Sequence, residues 1–112
     1  MRTIEFWGTA GTTIAEASTD TAQDLDTGTV LAFKNSDGKL ITALFITCTD
    51  HPIRYAFGAT PVESALGHLL PKDQTPVLIL GAANIRAFRY ISATAGNHAA
   101  ITFTPLYGDS SV

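Results

Sequence analysis

Ile53, Tyr55 and Phe57 alternate with Arg54, Ala56 and Gly58, the two-residue period of a strand with one buried face. A Gly-Ala-Thr-Pro cluster at 58–61 ends it. Val77 to Leu80 is a short apolar run between Pro76 and Gly81 and reads as a strand buried on both faces. Ala82, Ala83 and Asn84 read as a tight connection into another strand, Ile85 to Ile91, with Phe88 and Tyr90 opposite Ala87, Arg89 and Ile91. Upstream, Val30 to Lys34 reads as a strand, and Asn35-Ser36-Asp37-Gly38 is turn chemistry, since Asp-Gly supplies the positive φ of a tight hairpin. Lys39 to Thr49 is the return strand. Leu40, Leu44 and Ile46 fall on one face and Ile41, Ala43 and Phe45 on the other, so it is expected to be central. Asp50, His51 and Pro52 turn the chain. Val62, Ala65, Leu66 and Leu69 have rough helical spacing, but Pro61, Gly67 and Pro71 leave room for a loop with one helical turn. Ala99 to Tyr107 is the last strand, with Ile101, Phe103 and Tyr107 inward and Thr102 and Thr104 outward.

Residues 1–29 differ from the rest. They are rich in Thr, Ala, Gly and Asp; Ile4, Phe6 and Trp7 can anchor one short strand, and Thr12 to Ala17 another. Thr19 to Thr29 reads as loop, with Asp20, Asp24 and Asp26 and no apolar period. The segment is expected to be an extended N-terminal arm, packed on its own body or on another subunit, or else ordinary edge strands. Residues 30–107 form the β domain and 108–112 a polar tail. Seven or eight short strands with almost no helix argue for an antiparallel β-sandwich of jelly-roll type.

At 112 residues and 11.8 kDa the chain is one domain. Such a chain buries roughly 65% of its unfolded surface, enough for one core without staples. Apolar residues make up 46% and charged ones only 15%, which leaves little to keep neighbours apart, so part of the apolar surface is expected to be covered by a partner. The net charge of -3 and the scattered Lys and Arg lack the basic patch of a nucleic-acid binder. The single cysteine, Cys48, lies in an apolar strand-like run and reads as a small buried hydrophobe, in keeping with folding in a reducing compartment. The opening MRTIEFWGTAG holds Glu5 and no uninterrupted apolar core, so it does not read as a signal peptide, and no apolar run has the length of a membrane span. Synthesis in a cytoplasm is expected.

The candidate chemistry is thin. His51, His68 and His98 share no ligand spacing, so neither a metal nor any other cofactor is expected. Ser64 and Ser92 lack a nucleophile-elbow pattern. Gly8 and Gly11 with their threonines have no Gly-Lys-Ser/Thr and no strand-loop-helix context, so they make no phosphate loop. Asp20, Asp24 and Asp26 miss the EF-hand spacing and read as a solvated acidic loop. Arg54, Arg86 and Arg89 lie on expected strands, either covering apolar surface with their stems or meeting acidic groups of a partner. Phe6, Trp7 and Tyr107 divide between core edge and interface anchor. No catalytic constellation emerges, and the chain reads as a non-enzyme.

The order IRYAFGATP, then Gly67-His68-Leu69-Leu70, then VLILGAANI, then AFRYISA before a closing ITF strand resembles small proteins encoded beside the head genes of tailed bacteriophages. Several of those look like capsid decoration proteins (cement or staple proteins): small jelly-roll sandwiches that sit on the outside of the shell and bridge neighbouring capsomers. The resemblance covers roughly 47–107 and rests on strand and turn pattern. The family's Asp-Gly-Thr turn is here Gly58-Ala59-Thr60, its Gly-Asp is Lys72-Asp73, and the arm before Val30 has no counterpart. The resemblance implies a virion structural protein on the outer capsid surface, with the major capsid protein and a second copy of itself, most simply a homodimer, as partners. Ile4, Phe6, Trp7, Arg54, Arg86 and Arg89 are its candidate contacts. The competing expectation is a carbohydrate- or receptor-binding module of a tail fibre or baseplate, which would need an exposed aromatic platform drawn from Trp7, Tyr55 and Tyr90. A cupin-like enzyme would need the clustered histidines that this chain lacks.

Overall fold

The computed structural model describes residues 9–25, 31–63, 65–73 and 76–108. Among these lie β1 (Thr9–Ala10), β2 (Ile14–Ala17), β3 (Gln23–Asp24), β4 (Ile41–Thr49), β5 (Ile53–Phe57), β6 (His68–Leu70), β7 (Val77–Leu80), α1 (Ala82–Ala87), β8 (Phe88–Ser92) and β9 (Ala100–Tyr107). One antiparallel sheet, sheet A, has the order β1-β9-β4-β7, with β2 also on β9; the other, sheet B, has the order β3-β8-β5-β6. Most successive strands change sheet; β5 and β6 alone form a hairpin within one. The sheets close on a shared core. Leu44, Ile46, Cys48, Ile79, Ile101 and Phe103 come from sheet A; Ile53, Leu70, Phe88 and Tyr90 come from sheet B. The Tyr90 and Phe103 rings meet across it at 5.8 Å.

β4 is central, as its two-faced apolar pattern requires, and pairs with β9 and β7. Its facing departs from strict alternation. The register with β9 shifts between Ile41 and Ala43, and that bulge turns Ile41 inward to join Leu44, Ile46 and Cys48, leaving Leu40 exposed. The turn before it forms as expected: Asn35 Oδ1 accepts from the Asp37 and Lys39 amides, and Gly38 sits at φ 78°. The strand expected at Val30 to Lys34 is reduced, over its described residues, to a single bridge between Lys34 and Leu40. β9 presents Ile101, Phe103 and Tyr107 inward and Thr102 and Thr104 outward, as its pattern predicts.

Three other expectations need correction. β7 is an edge strand and not a strand buried on both faces: Ile79 is buried while Leu78 and Leu80 are 44% and 61% exposed. Residues 85–91 are not one strand. Gly81 at φ 92° starts the six-residue α1, anchored by the buried Ile85, and β8 begins only at Phe88. Leu69, expected in the loop with one helical turn, lies instead in the edge strand His68–Leu70 on β5, and the turn is confined to the stretch where the Ala65 amide donates to the Val62 carbonyl at 3.1 Å.

The described part of the N-terminal segment is integral to the fold rather than a loose arm. β1 and β2 line β9, and β3 adds to β8. Leu25, expected in loop, is fully buried in the core, and the buried Ser18 hydroxyl sits 2.7 Å from that of Ser92. Ile4, Phe6 and Trp7 lie outside the described residues.

Candidate interaction surface

The register of sheet A decides which side chains face out. Antiparallel pairing puts Ala10, Leu106, Ala43 and Leu80 in one row, Thr104, Phe45 and Leu78 in the next, then Ala15, Thr102 and Thr47, then Ala17, Ala100 and Thr49; Leu106 and Ala43 in the first row are already buried, and the exposed positions are Ala10, Ala15, Ala17, Thr49, Leu78, Leu80 and Ala100. Each alternates with an inward neighbour, as the strand pleat dictates. No outward position on these five strands carries a charge. Solvated sheet faces normally interleave charged side chains, so a flat Ala/Thr face edged by Leu78 and Leu80 is unusual for bare surface.

The outer side of sheet B is built differently. Its outward positions include Asp24, Arg54 and Arg89, and the described residues of 58–63 and 65–67 fold across it. Arg54 Nη1 donates to the Gly67 carbonyl at 3.1 Å and Arg89 Nη1 to Thr60 Oγ1 at 3.0 Å. Pro61, within this loop, is fully buried, and Gly67 at φ 129° packs where a Cβ would lie 3.1 Å from Arg54 Cβ and from the Tyr55 carbonyl. Two of the three candidate contact arginines thus hold the chain's own loop. The third, Arg86, is on α1 rather than a strand, with its guanidinium 4.5 Å above the Phe33 ring.

At the β6/β7 edge the sandwich is open. Tyr55, Phe57, Val77, Leu78, Ile79, Leu80 and Asn84 line a shallow groove of about 460 Å³. An aromatic ladder leads out to it from the core: Phe88 lies 5.9 Å from Tyr90, Tyr55 5.6 Å from Phe88, and His68 5.4 Å from Tyr55. Tyr55 is half-buried and Phe57 is 43% exposed, whereas Tyr90, expected as platform, is fully buried. Burial, with Glu16 and Asp24 nearby, pushes the Tyr90 phenol up to about 12. Among the described residues, the large exposed apolar side chains other than Leu40 all fall within 57–80. Sequence reading missed this concentration because Leu66, Leu69, Leu78 and Leu80 have the spacing of core residues.

A polar cluster joins the N-terminal segment to the loop over sheet B. Asp20 Oδ1 accepts from the Gly96 amide at 2.9 Å, and that bond, ahead of one with Glu63, lowers its pKa. Burial, then the bond to Asp20, raises the pKa of Glu63. Ser92, His98 and Asp20 come together here, but not as a nucleophilic triad. Ser92 Oγ at 3.0 Å and Asp20 Oδ1 at 4.0 Å address the same ring nitrogen, Nδ1 of His98, and Ser92 is fully buried. A triad needs the serine and the acid on opposite nitrogens. Burial, then Asp73 and Asp50, pushes the Cys48 thiol up to about 11, so it is a poor nucleophile. Among the described residues no three His, Cys, Asp or Glu gather to hold a metal ion, and no helix is long and apolar enough to cross a membrane. Comparison with protein-family models, curated proteins and solved structures finds no match.

Proposed function

We propose that this chain is a non-enzymatic structural protein of jelly-roll type that decorates the outside of a bacteriophage capsid and stabilises the head by bridging capsomers. The charge-free outer face of sheet A carries the proposal, because its exposed Ala, Thr and Leu positions offer a partner no charge to desolvate. Strand order supports the fold assignment. With β1 and β2 taken as one interrupted strand on β9, the sheets run 1-8-3-6 and 2-7-4-5, the order of two Greek keys wound into a jelly roll. The likeness of 47–107 to phage decoration proteins supplies the partner, the major capsid protein. In this reading each contact is modest. Many copies on a fixed lattice act at high effective concentration, and binding the closed shell but not its dissociated parts stabilises it by mass action. Heads assembled without the protein should bind it on their outer surface in cryo-electron microscopy and release DNA at a higher temperature once decorated. Heads that stay bare, with an unchanged release temperature, would refute the reading.

The groove favours a second reading. Tyr55 and Phe57 at its mouth, with Asn84 beside them, are the aromatic and polar elements of a carbohydrate-binding module on a tail fibre or baseplate. Saturable glycan binding that Phe57→Ala abolishes, together with bare heads, would replace the first reading with this one.

A further inference from the structure

We infer that β7 pairs with β7 of a second copy of this chain about a two-fold axis, so that sheet A runs on through a dimer. This does not depend on the capsid reading, since the contact forms in free solution. The first argument is backbone geometry. The Gly81 amide bonds the Thr42 carbonyl on β4 at 2.8 Å. Antiparallel pairs alternate, so Ile79 and Val77 also direct their amides and carbonyls at β4, and Leu78 and Leu80 direct theirs away. Asn84 Nδ2 already donates to the Leu80 carbonyl at 2.8 Å, but a carbonyl has two lone pairs. With Ile79 on the axis, Leu78 faces Leu80 of the second copy, and each pair of residues exchanges two hydrogen bonds.

The second argument is charge. A two-fold axis sets each group against its own copy, so a charge at the contact meets its like. Residues 76–84 contain none. The opposite edge is poorly suited: β1 and β3 have two residues each, and β2 and β3 bear Glu16 and Asp24. The third argument is the side chains that the pairing brings together. Leu78 and Leu80 are both exposed on the outer face of sheet A, and the two-fold sets each against the other's copy as an apolar cross-strand pair. Native edge strands are commonly blunted by lysine or by an internal proline, and β7 has neither.

Sedimentation velocity of the full chain, from roughly 1 to 100 µM, spans the range where such interfaces dissociate. The wild type should be a dimer at the upper end. Leu78→Lys, at an exposed position, should weaken the dimer by about a hundredfold or more, because each ammonium is set against Leu80 of the other copy with no acidic group to pair with it. Leu40→Lys, on another part of the surface, should leave it unchanged. Leu80→Lys gives the same comparison if Leu78→Lys alters the circular dichroism spectrum. In the wild type, hydrogen exchange at the Leu78 and Leu80 amides should slow as concentration rises. A monomer throughout, a dimer that neither lysine weakens, or β7 amides protected only on capsids would each overturn the inference. The last outcome would assign the edge to a strand of the shell.

Discussion

Leu25→Ala tests whether the N-terminal segment belongs to the fold. Leu25 follows β3, is fully buried and packs in the core shared by both sheets. The change removes buried methyl groups and leaves a cavity whose lining includes parts of two sheets. Such substitutions cost about 2–5 kcal/mol, a large fraction of the 5–15 kcal/mol that holds a small domain folded. For a chain of this length each kcal/mol lowers Tm by about 4 °C, so a drop of about 8–20 °C is expected. Thermal and urea unfolding at one fixed protein concentration measure it, and the urea midpoint should fall with no change in slope. Leu40→Ala, at a position 44% exposed, is the comparison and should cost well under 1 kcal/mol. A Leu25→Ala protein melting within about 2 °C of wild type would show that the segment rests loosely on the sandwich, contrary to the pairing of β2 and β3.

The contact between Asp20 and Glu63 should respond to pH. Asp20 is shifted down, so its contribution is present above its unfolded value and fades as pH falls through its folded one; Glu63 is shifted up, so its contribution is present below its unfolded value and fades as pH rises through its folded one. The contact is therefore tightest in mildly acid solution, where the pair shares one proton. Amides of 58–67, corrected for intrinsic rate, should exchange more slowly at about pH 5 than at about pH 8. Glu63→Gln, whose amide donates at every pH, should abolish the difference; equal protection of the wild type at both pH values would refute the shared proton. Gly67→Ala should cost about 1–3 kcal/mol by thermal unfolding, since its φ of 129° disfavours a side chain and the new Cβ meets backbone and Cβ atoms of β5. Gly58→Ala, at φ 67° with nothing within 4 Å, should cost less, and equal costs would mean that the close approach of the loop does not matter.

The strongest patterns in the sequence were legible. The run ending at Thr49 is central because both of its faces are apolar, and β9 alternates because one of its faces is buried. Short elements were not legible. β3 has two polar residues and exists because β8 offers an edge, a tertiary cause without a local signal. α1 has six residues and one buried anchor, too few for a 3.6-residue period to stand out against the alternation of Phe88 and Tyr90. The misreading of Val77 to Leu80 is the informative one. Four apolar residues look alike whether their second face meets a core or lies bare, so an edge strand with one exposed face read as interior. The arginines failed in the opposite sense: Arg54 and Arg89 have interface chemistry, yet their donors reach the loop at 58–67. The uncharged outer face of sheet A could be seen only once the register had aligned Ala, Thr and Leu from five strands.

The central claim, that this face seats on a capsid, is tested most directly by charging it. Thr49 and Ala15 are exposed outward positions on β4 and β2, while Ala95 is exposed on the turn between β8 and β9. Wild type, the double variant Thr49→Lys with Ala15→Lys, and Ala95→Lys would each be mixed with heads lacking the protein, pelleted and heated. Wild type and Ala95→Lys should co-sediment with the heads and raise the temperature of DNA release equally, while the double variant, folded by circular dichroism, should stay in the supernatant and protect nothing. A double variant that decorates and protects heads as well as the wild type would contradict the account.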